Sequence, residues 1–250
     1  MLKSFEAEHD IAFTFSKDGS LFSPDYLAQF DGVFFYTSGN LEMVGTDQNP
    51  PMSADGKQAL LSWIAQGGGF MAVHAGSDCF HTYERFNGNP PSSGARPHRY
   101  AYNGQASDPY IKMWGGEFIN HGAQQVATVE VVDPKFPGMA ELGEAFSVKE
   151  EWYSRKEFSP INHVLFVMKT AGMEGEVYAR PDYPLAWAKS YGEGRVDFNA
   201  MGHRDSSAYQ SMLVGAMKWA GAREPADITP NLLDVTPGAM TLPPPRKAVQ

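Results

Sequence analysis

Short unbroken apolar runs alternate with amphipathic stretches along the first third of this chain, and that alternation sets the expected architecture. Residues 33–37 (Val-Phe-Phe-Tyr-Thr) and 70–73 (Phe-Met-Ala-Val) show no apolar–polar alternation, which is how a strand covered on both faces reads. Between them Ala59, Leu60, Trp63 and Ile64 recur at helical spacing behind Ser53, a good cap residue, and the glycines at 67–69 end the helix. Strand, helix, strand with short links is the signature of a parallel sheet with helices on its faces. Upstream, Leu2–His9 reads as the end of a helix, residues 10–15 as a strand, Lys17-Asp18-Gly19 as a turn and Ser23-Pro24-Asp25 as the start of a short helix.

The pattern breaks over residues 79–114, where 87–98 keeps neither hydrophobic period. A loop of that length in a compact domain is expected to be a lid or binding loop. Its aromatics Phe80, Tyr83, Phe86, Tyr100, Tyr102 and Tyr110 are expected to pack it down. Residues 124–132 alternate as a strand, Asp133-Pro134 turns, 146–154 is extended and 162–169 is an apolar strand. Residues 185–191 and 195–201 flank Gly192-Glu193-Gly194, which predicts an antiparallel hairpin. The last helix is capped by Ser206, carries Tyr209, Met212, Leu213, Ala216, Met217 and Ala220 on its apolar face, and stops at Gly221. From Pro225 onward proline and polar residues prevail, so one domain over 1–224 is followed by a tail, 225–250, that wraps or floats.

Composition narrows the partners. With 250 residues, 42% hydrophobic and 13% aromatic, the chain can bury one full core. The net charge of −9 and the absence of any Lys/Arg run argue against nucleic acid or an anionic membrane as partner. No run of eighteen apolar residues spans a bilayer, and the charged first nine residues do not read as a signal peptide, so cytoplasm is the default compartment. A single cysteine, Cys79, excludes an internal disulfide.

Candidate chemistry starts at the carboxyl end of the 70–73 strand, where open α/β sheets place ligands and where His74, Gly76, Ser77 and Asp78 follow one another. His203 follows another strand, and His121 follows Gly115-Gly116-Glu117-Phe118. Imidazoles grouped with a carboxylate suit a divalent ion such as zinc, or acid–base work near neutral pH. Glu151 is the carboxylate of choice, with Asp78 and Glu117 as further candidates. No His-Glu-x-x-His spacing decides between a metal and a metal-free pocket. The catalytic candidates are therefore His74, Glu151 and His203, and the metal candidates His74, His121 and His203. Plainer readings stand beside these. Any one of the histidines can be a core residue bonded to main-chain carbonyls, Glu150 and Glu151 a charged strand edge, and Trp152, Tyr153, Trp187 and Trp219 core. His9, His98 and His163 carry no signal, and Gly67–Gly69 precedes a strand rather than following one, so it is no phosphate loop.

Several pieces occur in the order of one family. They are Gly67-Gly68-Gly69-Phe70 with Val73-His74-Ala75, Trp114-Gly115-Gly116-Glu117-Phe118 with His121, and Glu150-Glu151-Trp152-Tyr153. Tyr183-Pro184-Leu185-Ala186-Trp187, Gly192-Glu193-Gly194-Arg195-Val196, Gly202-His203 and Lys218-Trp219-Ala220-Gly221 complete the set. On these residues the chain resembles the ThuA-like proteins, named for trehalose utilisation, which have the fold of class I glutamine amidotransferases. The resemblance implies a flavodoxin-like, doubly wound, mostly parallel sheet and a role in sugar metabolism. Two departures stand out. The first central strand of such a sheet is missing before Leu2, which would leave orphaned backbone groups on both neighbours at about 1 kcal/mol or more each. The position of the amidotransferase cysteine is held by His74-Ala75-Gly76, and Cys79 lies too far along to replace it, so glutamine amide transfer is not expected. The implied ligand is a sugar or keto-sugar, with Asp78, Trp152 and Tyr153 holding it and a hydrolase, lyase or isomerase reaction as the range. A non-catalytic carbohydrate- or partner-binding protein is the alternative, and a homo-oligomer is left open.

Overall fold

The computed structural model describes residues 2–45, 47–82, 99–203 and 207–245. It begins with α1 (Leu2–His9) and an extended run, followed by α2 (Pro24–Leu27), β1 (Gly32–Phe35), α3 (Ala54–Ala65) and β2 (Gly69–Val73). Ser23 and Ser53 cap α2 and α3, their hydroxyls accepting the Tyr26 and Gly56 N–H groups. After the segment that breaks the pattern come α4 (Pro109–Trp114), β3 (Glu117–His121), β4 (Gln125–Val131), β5 (Ala145–Glu150) and β6 (Tyr153–Lys156). The chain closes with β7 (His163–Lys169), β8 (Tyr183–Tyr191), β9 (Gly194–Asn199), α5 (Ser207–Ala220) and α6 (Leu232–Val235).

Seven strands form one sheet in the order β1-β2-β9-β8-β7-β4-β5, and β3 pairs with β6 in a small antiparallel second sheet. Only β1, β2 and β9 run parallel; the other four pairings of the large sheet are antiparallel. The expectation of a mostly parallel sheet thus holds for three strands, and the fold is mixed α/β. The reason lies in the connections and the surface. A two-residue link between Tyr191 and Gly194 permits only a hairpin, and β4 and β5 alternate between covered and exposed residues, as antiparallel strands open to water on one face do. In β9, successive side chains face opposite layers. The Phe198 ring lies 4.7 Å from that of Trp114 in α4, while Asn199 Nδ2 reaches Met212 Sδ in α5 at 4.0 Å. The sheet is therefore covered on both faces at β9, with Trp114 and Trp187 stacked at 5.5 Å in the core.

The seven-stranded ladder has no empty lane inside it, because β1 pairs directly with β2. Residues 10–15, expected as a strand, are extended but join no ladder among the described residues. Between them and the free edge of β1 lies a groove of about 390 Å³ whose lining includes Asp10, Ile11, Ala12 and Thr14 on one side and Gly32, Val33 and Phe34 on the other. The expected central gap, with orphaned groups on two neighbours, is therefore absent: β1, β2 and β9 pair contiguously, and β1 is simply the outer strand of the sheet among the described residues.

The segment expected as a continuous loop over 79–114 contains α4, which six residues are too few to reveal by periodicity. Asp108 caps it by accepting the Tyr110 N–H, and Gly115, at φ 87°, ends it. Phe80 and Tyr110 are buried and Tyr102 is exposed, while Tyr83 and Phe86, like the expected cap Ser206, lie outside the described residues. The tail wraps the domain. Asn231 Oδ1 accepts the Val164 N–H at 2.6 Å and its Nδ2 donates to the Val164 carbonyl at 3.2 Å, filling an edge of β7 that β4 leaves open before Phe166. His163 has a role the sequence did not signal: its Nδ1 lies 2.7 Å from the Thr229 carbonyl oxygen and its Nε2 3.0 Å from Asp133. Among the described residues no helix is long and apolar enough to cross a membrane.

Two outcomes follow from this packing. Asn231→Ala strands two buried groups of Val164 and is expected to lower stability by about 1–3 kcal/mol in urea with an unchanged m-value; a loss of under about 0.3 kcal/mol would show that the tail does not clamp β7. Asp197, whose Oδ1 finds no hydrogen-bond partner among the described residues, is pushed by burial from 3.8 up to about 8. A folded-state pKa above the unfolded value means that the contribution of Asp197 to stability is full below about pH 4 and is lost as pH rises towards about 8. Asp197→Asn should therefore raise the melting temperature near pH 9 and leave it almost unchanged near pH 4, whereas a pH-independent difference would contradict this assignment.

Candidate functional site

β2 ends in an elbow. His74, the first residue beyond it, has φ 43° in the left-handed region, a conformation that costs a non-glycine residue about 1–3 kcal/mol unless its surroundings hold it. They do so from three sides. Ser77 Oγ donates to the His74 carbonyl at 2.8 Å, Tyr110 Oη of α4 donates to the Gly76 carbonyl at 2.8 Å, and a Cβ on Gly76 would stand 2.9 Å from the Phe35 carbonyl oxygen at the end of β1. A histidine thus occupies the sharp turn that follows β2.

β9 lies beside β2 in parallel register, Val73 opposite Asn199, so both chains leave the sheet at the same edge. His203 then meets His74, Nδ1 to Nε2, at 3.3 Å. Gly202 has φ 133°, and a Cβ there would stand 2.5 Å from Tyr209 Oη, which makes the close approach possible for glycine alone. Glu151 arrives from the connection between β5 and β6. Its Oε2 is 3.5 Å from His74 Nε2 and 3.9 Å from His203 Nδ1, and its Oε1 is 3.5 Å from His121 Nδ1. One carboxylate therefore faces three imidazoles drawn from three separate stretches of chain. Glu150 ties the Glu151 stretch to that of His203: it accepts the Glu151 N–H at 3.1 Å and the Gly202 N–H at 3.4 Å. The Tyr153 ring is a wall, 4.4 Å from the His74 ring and 5.3 Å from the nearly parallel His121 ring.

The electrostatics differ from ring to ring. Burial first, then the positive neighbours Arg155, His203 and His121, push His74 down to about 3, so it is neutral near pH 7. Arg155 is wholly buried; its NH1 donates to the Tyr153 carbonyl at 2.9 Å, its guanidinium lies 4.6 Å from the Phe198 ring centre, and its Nε finds no hydrogen-bond partner among the described residues. Burial lowers its pKa to about 10. The Tyr153 hydroxyl is raised by burial and by the Glu151 and Asp78 carboxylates. His121 Nδ1 lies 3.0 Å from the Gly122 carbonyl oxygen, so it carries the proton and donates there. His203 Nε2 lies 2.7 Å from the Gln124 amide.

The residues expected from sequence fall into two groups. His74, Glu151 and His203 meet, with donor atoms all within 4.8 Å of one another. The expected metal set of His74, His121 and His203 does not converge in that way, because His121 Nδ1 is committed to a main-chain carbonyl and Glu151 stands in its place. Asp78 borders the site, its Oδ1 2.5 Å from His81 Nε2 and 3.5 Å from Arg99. Trp152 is fully buried and its indole N–H donates to the Gln125 carbonyl at 2.9 Å, so it presents no face to a ligand. Tyr153 is 7% exposed and packs its ring against the His74 and His121 imidazoles. Glu117 lies deeper, accepting from Thr82 N–H and Asn103 Nδ2 and paired with Lys156 at 3.0 Å. Glu150, Gln124 and Arg155 are site residues that the sequence reading missed; only Glu150, beside Glu151 in the Glu-Glu-Trp-Tyr piece, had any signal. Cys79 is buried, with its thiol on the Ala75 and Thr37 carbonyls and its pKa raised by burial. His98 lies outside the described residues.

A mixed α/β protein with its polar site where adjacent parallel strands end is the class these features define. The ThuA family model, described as trehalose utilisation, matches residues 1–221, and the chain belongs to this family. A putative ThuA-like protein from Bacteroides uniformis ATCC 8492 is similar, with 18% identity, a TM-score of 0.61, and coverage of 88% of this chain and 80% of that one. Another from Parabacteroides merdae ATCC 43184 has 19% identity, a TM-score of 0.52, and coverage of 95% and 85%. At these identities the likeness shows the fold alone. No curated protein matches.

The burial of Cys79 makes a direct forecast: iodoacetamide should leave the native thiol unmodified over a time in which the urea-unfolded chain is fully alkylated. Equal rates in the two states would contradict the packing described.

Proposed function

We propose that this ThuA-family protein acts on a sugar or keto-sugar derivative by acid–base chemistry at His74, Glu151 and His203. The observation that carries the reading is the single carboxylate shared among imidazoles that differ in exposure. His203 has 38% of its side chain exposed and Glu151 21%, while His74 has 7%. His203 is thus placed to meet a substrate, and Glu151 Oε2 stands beside it to accept or return the proton. Buried His74 holds that carboxylate in position. His121, also 38% exposed, has its Nδ1 beside the other carboxylate oxygen, Oε1, and gives that proton to Gly122, so Nε2 is the nitrogen left to take up a further proton. A base and an acid around one carboxylate suit removal of a proton next to a sugar carbonyl and its return elsewhere, as in isomerisation or elimination, and equally suit hydrolysis. The family description, trehalose utilisation, supports the substrate class. Histidine at the elbow and a buried Cys79 speak against a cysteine nucleophile.

The test is turnover of keto-sugars and disaccharides by the purified protein and its variants. Glu151→Gln and His203→Ala are expected to stay folded and to lower kcat by about 100-fold or more. Unchanged kcat in both variants would overturn these roles. Sugar binding without turnover, retained in both, would assign the pocket to recognition alone.

A further inference from the structure

We propose that His74 Nε2, His203 Nδ1 and Glu151 Oε2 form a three-ligand divalent-metal site that takes zinc with its fourth position open. The proposal deepens the acid–base reading above and rests on the same three side chains; with the ion bound, a water on it would take over the proton-accepting role that Glu151 Oε2 holds in the metal-free site. The three donor atoms stand 3.3, 3.5 and 3.9 Å apart. A triangle with those edges has a point about 2.1 Å from every corner, which is the bond length of zinc to imidazole nitrogen and carboxylate oxygen. Tetrahedral ligands at that bond length are separated by about 3.4 Å, close to the spacing found. Two imidazoles and one carboxylate are also a donor set that zinc takes in catalytic sites.

The surroundings fit a ligand role. Gln124, 2.7 Å from His203 Nε2, can turn its amide oxygen to the ring; Nε2 then carries the hydrogen and Nδ1 presents its lone pair to the ion. His121 Nδ1, 3.5 Å from Glu151 Oε1, stands beside the carboxylate oxygen that does not ligate, but its proton goes to the Gly122 carbonyl. The Tyr153 ring and the elbow at β2 fix His74. Exposure of His203 and Glu151 leaves the remaining position accessible to water or to a sugar oxygen, whereas a structural zinc would be closed by a fourth side chain. The ion would polarise a bound carbonyl or acidify a bound water.

Tag-free, chelator-treated protein titrated with Zn²⁺ by calorimetry, and with Co²⁺ by visible absorption, tests this. One ion per chain is expected, with four-coordinate Co²⁺ absorption. His203→Ala and Glu151→Gln should each weaken binding by about 100-fold or more, Gln124→Ala by about tenfold, and His121→Ala by less than tenfold. Cys79→Ser should bind as the parent does, and thermal melts report whether each variant is folded. No uptake of either ion, uptake that survives both His203→Ala and Glu151→Gln in folded protein, or a loss in His121→Ala equal to that in His203→Ala would overturn the site. Sugar turnover by chelator-treated protein that takes up no metal would remove the metal site and leave the acid–base reading standing. Uptake at these residues without turnover of any sugar would do the reverse.

Discussion

The parallel pairing of β2 with β9 is the constraint from which the rest follows. With Val73 opposite Asn199, two strands separated by more than a hundred residues release their chains at one edge, and the imidazoles that follow come within 3.3 Å. A shift of one residue in that register would turn the side chains of either strand to the opposite layer. The elbow at His74 depends on the same pairing, since β1, α4 and the turn itself press on it only while β2 is held between β1 and β9.

Glu151 reaches the edge by a different route. β5 is the far strand of the large sheet and β6 belongs to the small one, so the two residues between them bridge two layers. Glu150 closes that bridge by accepting main-chain N–H groups on both sides of the site. Behind it, β3 and β6 are anchored by a buried set of charges. Glu117 pairs with Lys156, and His81 lies between Glu117 and Asp78, at 3.7 and 2.5 Å. Breaking such a buried pair by removing one partner costs about 3–5 kcal/mol, which places this cluster among the groups that fix where His121 and Tyr153 stand.

Part of this was legible in the sequence, and for identifiable reasons. His74 was readable because an unbroken apolar run marks a covered strand and its carboxyl end is where ligands gather. His203 followed another readable strand, and Glu151 stood out in an aromatic-rich piece. The direction of β4, β5, β7 and β8 was less accessible, because periodicity reports which face is covered and not which neighbour pairs. The 146–154 stretch read as one extended piece, yet it splits at Glu151 and Trp152, and that split sends Trp152 into the core and Glu151 to the site. Arg155 and Gln124 carry no local pattern; their parts depend on residues distant along the chain. The same holds for the hydrogen bond from His121 to Gly122, which decides that this ring stands outside the donor triangle.

The convergence of three imidazoles on one carboxylate is tested most directly by the ring-nitrogen NMR signals of the histidines, recorded for the parent and for Glu151→Gln. No sequence neighbour links Glu151 to any of them, so only proximity in the fold can transmit the change. The account predicts that the signals of His74, His121 and His203 all move, while those of His9 and His163 stay in place. Movement of none, or of His9 and His163 as much as the others, would contradict it.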